Sequence, residues 1–442
     1  MILASGTAAV ACAGSVDANR DRRDALAFAV EVFVTPLDEG ATADAADTSA
    51  REIADASVAR DAMPLDVRED DATDAYWPDT MLDGTPRCEG GTCPVLREIG
   101  VGGGHSCVLH GDGRVACWGA NFSGQIGIGE VSPSAPPQLN PYLADVVHVS
   151  AGGRHTCALL RDGTVSCWGA NDNGQSAVSV AGVIYSPRRV VGIDSVVQII
   201  AGWSHSCALR RDGRVLCWGS NTDGEHGFPA AGRAVPVVPL PEPANRLFKT
   251  GYEATCALLG SGGVWCWGRN TEGQLGTGVT AMVSPPTAVL GLRNPRAFEM
   301  GNMHSCAIDA RGVVLCWGSN RFSSLGNPPG NSALPRAVSD VTGATSLSVG
   351  GYHTCVGQTG RDAVCWGDSW SASPGPTTPA WGAVPTALAG TATADAMFSG
   401  HRLLCILTNG FREVMCMGDP GFGSLGGTPA PGDAWVHVPL PP

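Results

Sequence analysis

The chain has 442 residues, is 43% hydrophobic and 16% charged, and carries a net charge of −13. Residues 13–86 hold 18 acidic and 6 basic side chains, so the remainder is near neutral, with Lys249 its only lysine. Such a body offers little counterion release, which argues against nucleic-acid binding through a basic face.

From the N-terminus, Met1 to Ala11 is small and apolar and leads into Ala9-Val10-Ala11-Cys12. This pattern fits the end of a secretory signal, and equally a lipobox in which Cys12 becomes the lipidated first residue. The expected membrane link is that anchor alone. The apolar run Ala25 to Val34 is interrupted by Glu31 and too short to span a bilayer. Residues 13–86 are rich in Asp, Ala, Thr and Glu with few large apolar groups. A segment of that composition cannot bury enough surface to offset chain entropy, so a disordered acidic linker is expected. Cys88 and Cys93 are expected to staple the junction where order begins. The boundaries read as 1–12, 13–86 and 87–442.

Beyond the junction a cysteine recurs with gaps of 50, 50, 49, 50, 49 and 50: Cys107, Cys157, Cys207, Cys256, Cys306, Cys355 and Cys405. Each has a partner ten residues on, or eleven in the last copy: Cys117, Cys167, Cys217, Cys266, Cys316, Cys365 and Cys416. Seven copies at this period suit the blades of a β-propeller. Zinc prefers tighter knuckles and four ligands, so disulfides are the better reading of two cysteines per copy. Asp-Gly between two alternating runs marks a hairpin. With a three-residue loop, 211–213, Cys207 lies opposite Cys217; a two-residue loop would send them to opposite faces. The tryptophan after each second cysteine, from Trp118 to Trp366, is expected between blades, with Met417 replacing it in copy seven. The terminal stretch Trp435 to Leu440 has outer-strand character, and is expected to complete a blade with the N-terminal copy.

Gly-x-x-His-Ser/Thr-Cys-Ala-Leu, Asp-Gly-x-Val-x-Cys-Trp-Gly-x-Asn and Gly-Gln-Leu-Gly resemble the repeats of the regulator of chromosome condensation family, over about residues 95–442. The resemblance implies an all-β, seven-bladed propeller. Its nuclear members do not depend on such bridges, and the family's GTPase exchange factor uses a β-wedge for which a spacing of 49 or 50 leaves no room. Secreted bacterial members, which use the ring as a protein-binding platform, are the nearer analogy in style.

His105, His155, His205, His304 and His353 stand two residues before a first cysteine. Equivalent positions in neighbouring blades are too far apart to share a metal, so these histidines read as structural. Asp112, Asp162 and Asp212 sit in turns where backbone geometry explains them. No nucleophile–base pair, P-loop or dinucleotide fingerprint is found, so no catalytic residue, metal or cofactor is assigned and no enzyme is expected. The connections that follow Gly-Gln-Leu-Gly diverge between copies. Their aromatics, Phe122, Tyr142, Tyr185, Phe228, Phe322, Trp370, Trp381 and Phe422, are the candidate binding residues, against the plainer reading that each packs its own loop.

The residues thus describe a secreted or cell-surface, disulfide-stapled monomer that binds another protein, with cell-surface carbohydrate as the next partner. The alternatives are an exchange-factor-like regulator of a small GTPase and a surface hydrolase.

Overall fold

The computed structural model describes residues 95–176, 182–228, 237–249, 251–326, 330–368, 382–428 and 435–441. Cys12, Cys88, Cys93 and the whole N-terminal segment lie outside them. The described residues form a seven-bladed β-propeller. Blade 1 runs through Leu96–Val101, His105–His110, Val115–Asn121 and Ser132–Leu139, in that order across the sheet. Five further blades repeat the four-stranded meander. Blade 3 has three strands and a bridge from Leu216 to Val237 in place of the fourth. Among the described residues, no helix is long and apolar enough to cross a membrane.

The hairpin at the centre of each blade follows from its cysteines. Cys207 lies opposite Cys217 across a loop of Arg211, Asp212 and Gly213, and all seven pairs are bridged at Cα separations of 4.0–4.2 Å. This is the close spacing of a non-hydrogen-bonded antiparallel pair. Blade 6 turns through two residues only, because Gln358 pairs with Arg361. A bulge between Val356 and Gln358 absorbs the difference and keeps Cys355 opposite Cys365.

Outer strands carry prolines, among them Pro136-Pro137, Pro187, Pro285-Pro286 and Pro335. In blades 1, 2, 4 and 5 the register shifts opposite the Cys-Trp-Gly segment, where these prolines fall. A residue without N–H cannot continue the ladder, so the rim resists the addition of another strand.

Between blades the indoles act as latches. The six tryptophans are fully buried. The Nε1 of Trp168, Trp218, Trp267, Trp317 and Trp366 donates to the carbonyl of Gln125, Gln175, Glu225, Gln274 and Ser324 in the preceding blade, at 2.8–2.9 Å. In copies one to five an asparagine shapes the loop, its Oδ1 taking a backbone amide five residues on; Asn121 Oδ1 takes the Ile126 amide and its Nδ2 donates to the Glu130 carbonyl. Copy six lacks a Gly-Gln-Leu-Gly loop. The next blade carries Met417, which has no N–H to offer, so both halves of the latch are missing together.

The five histidines are buried, and four of them bridge to the next blade. His105, His155, His205 and His304 meet the hydroxyls of Thr156, Ser206, Thr255 and Thr354 in the next blade at 2.8–3.0 Å. The Thr156 and Ser206 hydroxyls donate onward to the Gln125 and Gln175 carbonyls, so each must accept from the imidazole, placing the proton on Nε2. Burial lowers His105 and His304 to about 4, and His155 and His205 to about 3.

The ring closes differently from the sequence expectation. Val436–His437 pairs with Glu413–Gly418 of its own repeat, and Leu96–Val101 already supplies the first strand of blade 1. Every blade is therefore one continuous piece of chain. Blades 7 and 1 meet through a shared apolar cluster that includes Leu96, Trp118, Leu403 and Val438. The Leu96 amide donates to the Phe411 carbonyl at 2.9 Å, and Trp118 Nε1 to that of Ser424 at 3.0 Å. Trp118→Phe keeps an aromatic ring but leaves this carbonyl unpaired, for an expected loss of about 1–2 kcal/mol. Met417→Leu removes no hydrogen bond and should cost less than about 1.5 kcal/mol. Urea denaturation of both variants checks the difference; equal losses would show that the indole does not latch the seam.

Candidate functional site

The first strands of the blades surround a central channel of about 810 Å³. Their edges lack a strand partner on the channel side, and polar side chains take up the exposed backbone groups. The Glu98 carboxylate accepts from the Val149 amide at 2.6 Å and meets His148 Nδ1 at 2.9 Å, while Gln198 bonds both the amide and the carbonyl of Leu247. Lys249 reaches across the lumen. Its Nζ donates to Glu299 at 3.4 Å, to the Val349 carbonyl at 3.1 Å and to the Ser399 carbonyl, tying together blades 4 to 7.

One mouth of the channel is ringed by the turns between first and second strands, and this is called the upper face. Around it hydrogen bonds fix the backbone at six of the seven blade junctions. The amides of residues 103, 153, 203, 302, 351 and 401 donate to carbonyls 152, 202, 252, 351, 400 and 102 of the next blade. A second bond, such as Ala120 to the Gly104 carbonyl, holds each turn against its own third strand. Two side chains per blade are thus displayed on a rigid frame, and they are the ones that vary most. Copy one has Gly103-Gly104, copy two Gly153-Arg154, copy three Trp203-Ser204 and copy four Tyr252-Glu253.

These positions build an aromatic arc over the mouth. Tyr252 and Trp203 stack at 4.5 Å, Trp203 meets His401 at 5.4 Å, His401 meets Tyr352 at 5.3 Å and Tyr352 meets Phe322 at 4.5 Å. Trp203 and His401 belong to blades 3 and 7, so the arc bridges over blades 1 and 2. The glycines of those blades make room for it: a Cβ on Gly153 would come within 2.8 Å of the Trp203 ring. His401 is pushed below its ordinary pKa by burial first and the neighbouring Arg402 second, which keeps the imidazole neutral between its ring partners at pH 7.

Charged groups surround the arc. Arg269 Nη1 donates to Glu253 at 2.7 Å and stands 3.9 Å from Asp223. Arg402 pairs with Asp419 at 3.8 Å. Arg154 and Arg321 lie 5.5 Å over the Phe122 and Phe322 rings. No group of three or more metal-ligating side chains is found among the described residues.

Of the aromatics singled out from sequence, Phe122 and Phe422 meet at 5.7 Å and Phe322 joins the arc through Tyr352. Tyr142 packs its hydroxyl over Gly129, and the Tyr185 carbonyl accepts the Gly129 amide, so both are engaged with that loop. Phe228 is half-buried. Trp370 and Trp381 lie outside the described residues. Trp203, Tyr252, Tyr352 and His401 were not anticipated. Their signal was available in the two variable residues between Gly and His of each repeat.

A ring of seven meanders, six of four strands and one of three strands with a bridge, and with a face of displayed turns, defines a β-propeller. The family model described as RCC1-like domain matches residues 73–377, and the chain belongs to that family. No curated protein matches it in sequence. Human WBSCR16 is similar in structure, with a TM-score of 0.64 and 20% identity over 74% of this chain and 95% of that one. Prp20p from Saccharomyces cerevisiae, whose structure was described with its binding to Gsp1p and histones, has a TM-score of 0.61 and 22% identity over 69% and 80% of the two chains. Yeast RCC1 (Prp20) in complex with Kap60 has a TM-score of 0.62 and 22% identity over 74% and 82%. At these identities the likeness is one of fold.

Proposed function

We propose that the protein is an extracytoplasmic binding module that docks a partner protein on the upper face, with the aromatic arc as its centre. The observation that carries this reading is the arc itself. Trp, Tyr and Arg are the side chains that dominate binding energy in protein interfaces, and here they converge on one rigid, partly exposed surface. Proline-guarded outer strands leave the rim poorly suited to strand addition, which favours a face over an edge. Membership of a family whose relative Prp20p was described with protein partners supports a protein ligand. Seven buried disulfides support an oxidising compartment outside the cytoplasm, and a lipid on Cys12 would hold the module there.

Capture of binding proteins from the extracellular fraction of the producing cells tests the reading. A partner held by the wild-type chain should bind the Trp203→Ala variant at least about 30-fold more weakly. Arg211→Ala, in a hairpin of the opposite face, should change affinity less than threefold. A partner indifferent to Trp203 and Tyr252 would remove the upper face from consideration. The second reading, an exchange-factor-like regulator, is favoured by the likeness to Prp20p. It requires a GTPase partner whose nucleotide release the protein accelerates.

A further inference from the structure

We propose that the upper mouth receives a cationic side chain, an arginine or lysine of the partner, against the Trp203–Tyr252 stack and beside the carboxylates of Glu253 and Asp223. This rests on the upper face being the docking surface, and it names the chemistry of what docks there. The first support is the distribution of charge. Arg402 is matched by Asp419, while Arg154 and Arg321 keep their charge over phenylalanine rings, Arg154 within electrostatic reach of Tyr252. Glu253 and Asp223, by contrast, share the single guanidinium of Arg269. That cluster keeps one negative charge more than its cation balances, on side chains that stay partly open to solvent at 18% and 19% exposure.

The second support is geometric. Glu253 follows Tyr252 in the same turn, and the amide of Arg269 bonds the Glu253 carbonyl at 2.9 Å. The acid pair is thereby anchored next to two stacked rings whose planes lie 29° apart. An aromatic face attracts a cation through its quadrupole, and an adjacent carboxylate adds a directional hydrogen bond for a guanidinium or ammonium group. Electrostatics agree with the geometry. Burial raises the pKa of Glu253, the Arg269 hydrogen bond opposes this, and the charge of Asp223 pushes it further up. A second cation would relieve that strain between like charges. Its binding should strengthen as pH rises through the carboxylate range, because the fully ionised pair is the form that holds it.

The probe is N-acetyl-arginine methylamide, with the isosteric but neutral citrulline analogue as control. The acidic N-terminal segment does not contribute to the readout, which is the indole N–H resonance of Trp203, assigned from its loss in Trp203→Phe. The arginine probe should shift that resonance saturably, in the millimolar range, and the citrulline probe should bind at least tenfold more weakly. Asp223→Asn with Glu253→Gln should abolish the preference. Arg269→Gln, which removes the internal competitor, should tighten the arginine probe several-fold, an effect that a merely structural pair would not produce. Should the double variant fail to fold, Asp223→Asn alone is expected to weaken the probe about threefold. Equal binding of arginine and citrulline, or no shift of Trp203 by either, overturns the proposal. If partner capture still depends on Trp203 in that case, docking on the upper face stands without it.

Discussion

Refolding under reducing conditions is expected to fail, although the native protein resists the same reductant. Closing an 11-residue loop is worth about 2.8 kcal/mol by chain entropy, so seven bridges together reach roughly 15 to 20 kcal/mol as an upper guide. That is at least as large as the whole net stability of an ordinary domain, about 5–15 kcal/mol. The bridged sulfurs are nonetheless inaccessible, since all fourteen cysteines are buried at 0–1% exposure. Incubation with millimolar dithiothreitol should leave seven bridges by mass while the fold is intact. The chain unfolded in urea, reduced and diluted should not regain its tryptophan emission. A single pair removed as Cys207→Ala with Cys217→Ala should lower stability by about 2–3 kcal/mol. A reduced chain that recovers the native spectrum would show that blade packing alone suffices, and the case for an oxidising compartment would weaken with it.

Acid should unfold the ring well above the pH at which carboxylates titrate. Burial depresses His105 and His304 to about 4, His155 and His205 to about 3, and His353 in the same direction. A histidine lowered in the folded state contributes stability that is complete above its unfolded value near 6.5. That stability is lost as pH falls towards the folded value, because only the unfolded chain can take up the proton. At pH 5 the loss is about 2 kcal/mol for each of the four histidines lowered to about 3 or 4, and together they approach the net stability of a domain, with His353 acting in the same direction. Urea midpoints at pH 8, 7, 6 and 5 should therefore hold steady down to pH 7 and then fall steeply. His155→Gln should flatten that fall by about one proton. Constant midpoints from pH 7 to pH 5 would mean that the imidazoles reach water without unfolding.

How far the residues disclose the molecule depends on whether a feature is local to one repeat. The spacing of Cys207 and Cys217 fixes a hairpin loop, and the loop fixes the register, because a side chain changes face with each residue of slip. The interblade position of Trp218 follows from a large apolar ring repeated at one place per copy. The phase of the repeat does not follow. Ser186 to Val190 has the same outer-strand character whether it ends one blade or begins the next, and on that ambiguity the expected strand exchange at the closure rested. Only the pairing of Leu96–Val101 with His105–His110 shows that a blade begins at its inner strand. The site is less legible still. Trp203 and His401 lie in repeats three and seven, and no local pattern places them in contact. Ring closure does so, together with the small residues at Gly103 and Gly153. The aromatics of the long connections stood out because their loops differ in length, whereas those of the turns were concealed by a constant frame.

Lys249 occupies the channel, and it is the chain's only lysine. The folded surface therefore presents no ε-amine to solvent outside that lumen. Acylating enzymes, reducing sugars and amine-directed labels would find only this group and the N-terminal amine. All other fixed positive charge resides in guanidinium groups, which stay protonated up to a pH above about 12. Acetylation or glycation at lysine would therefore leave the near-neutral charge of the propeller's exterior unchanged.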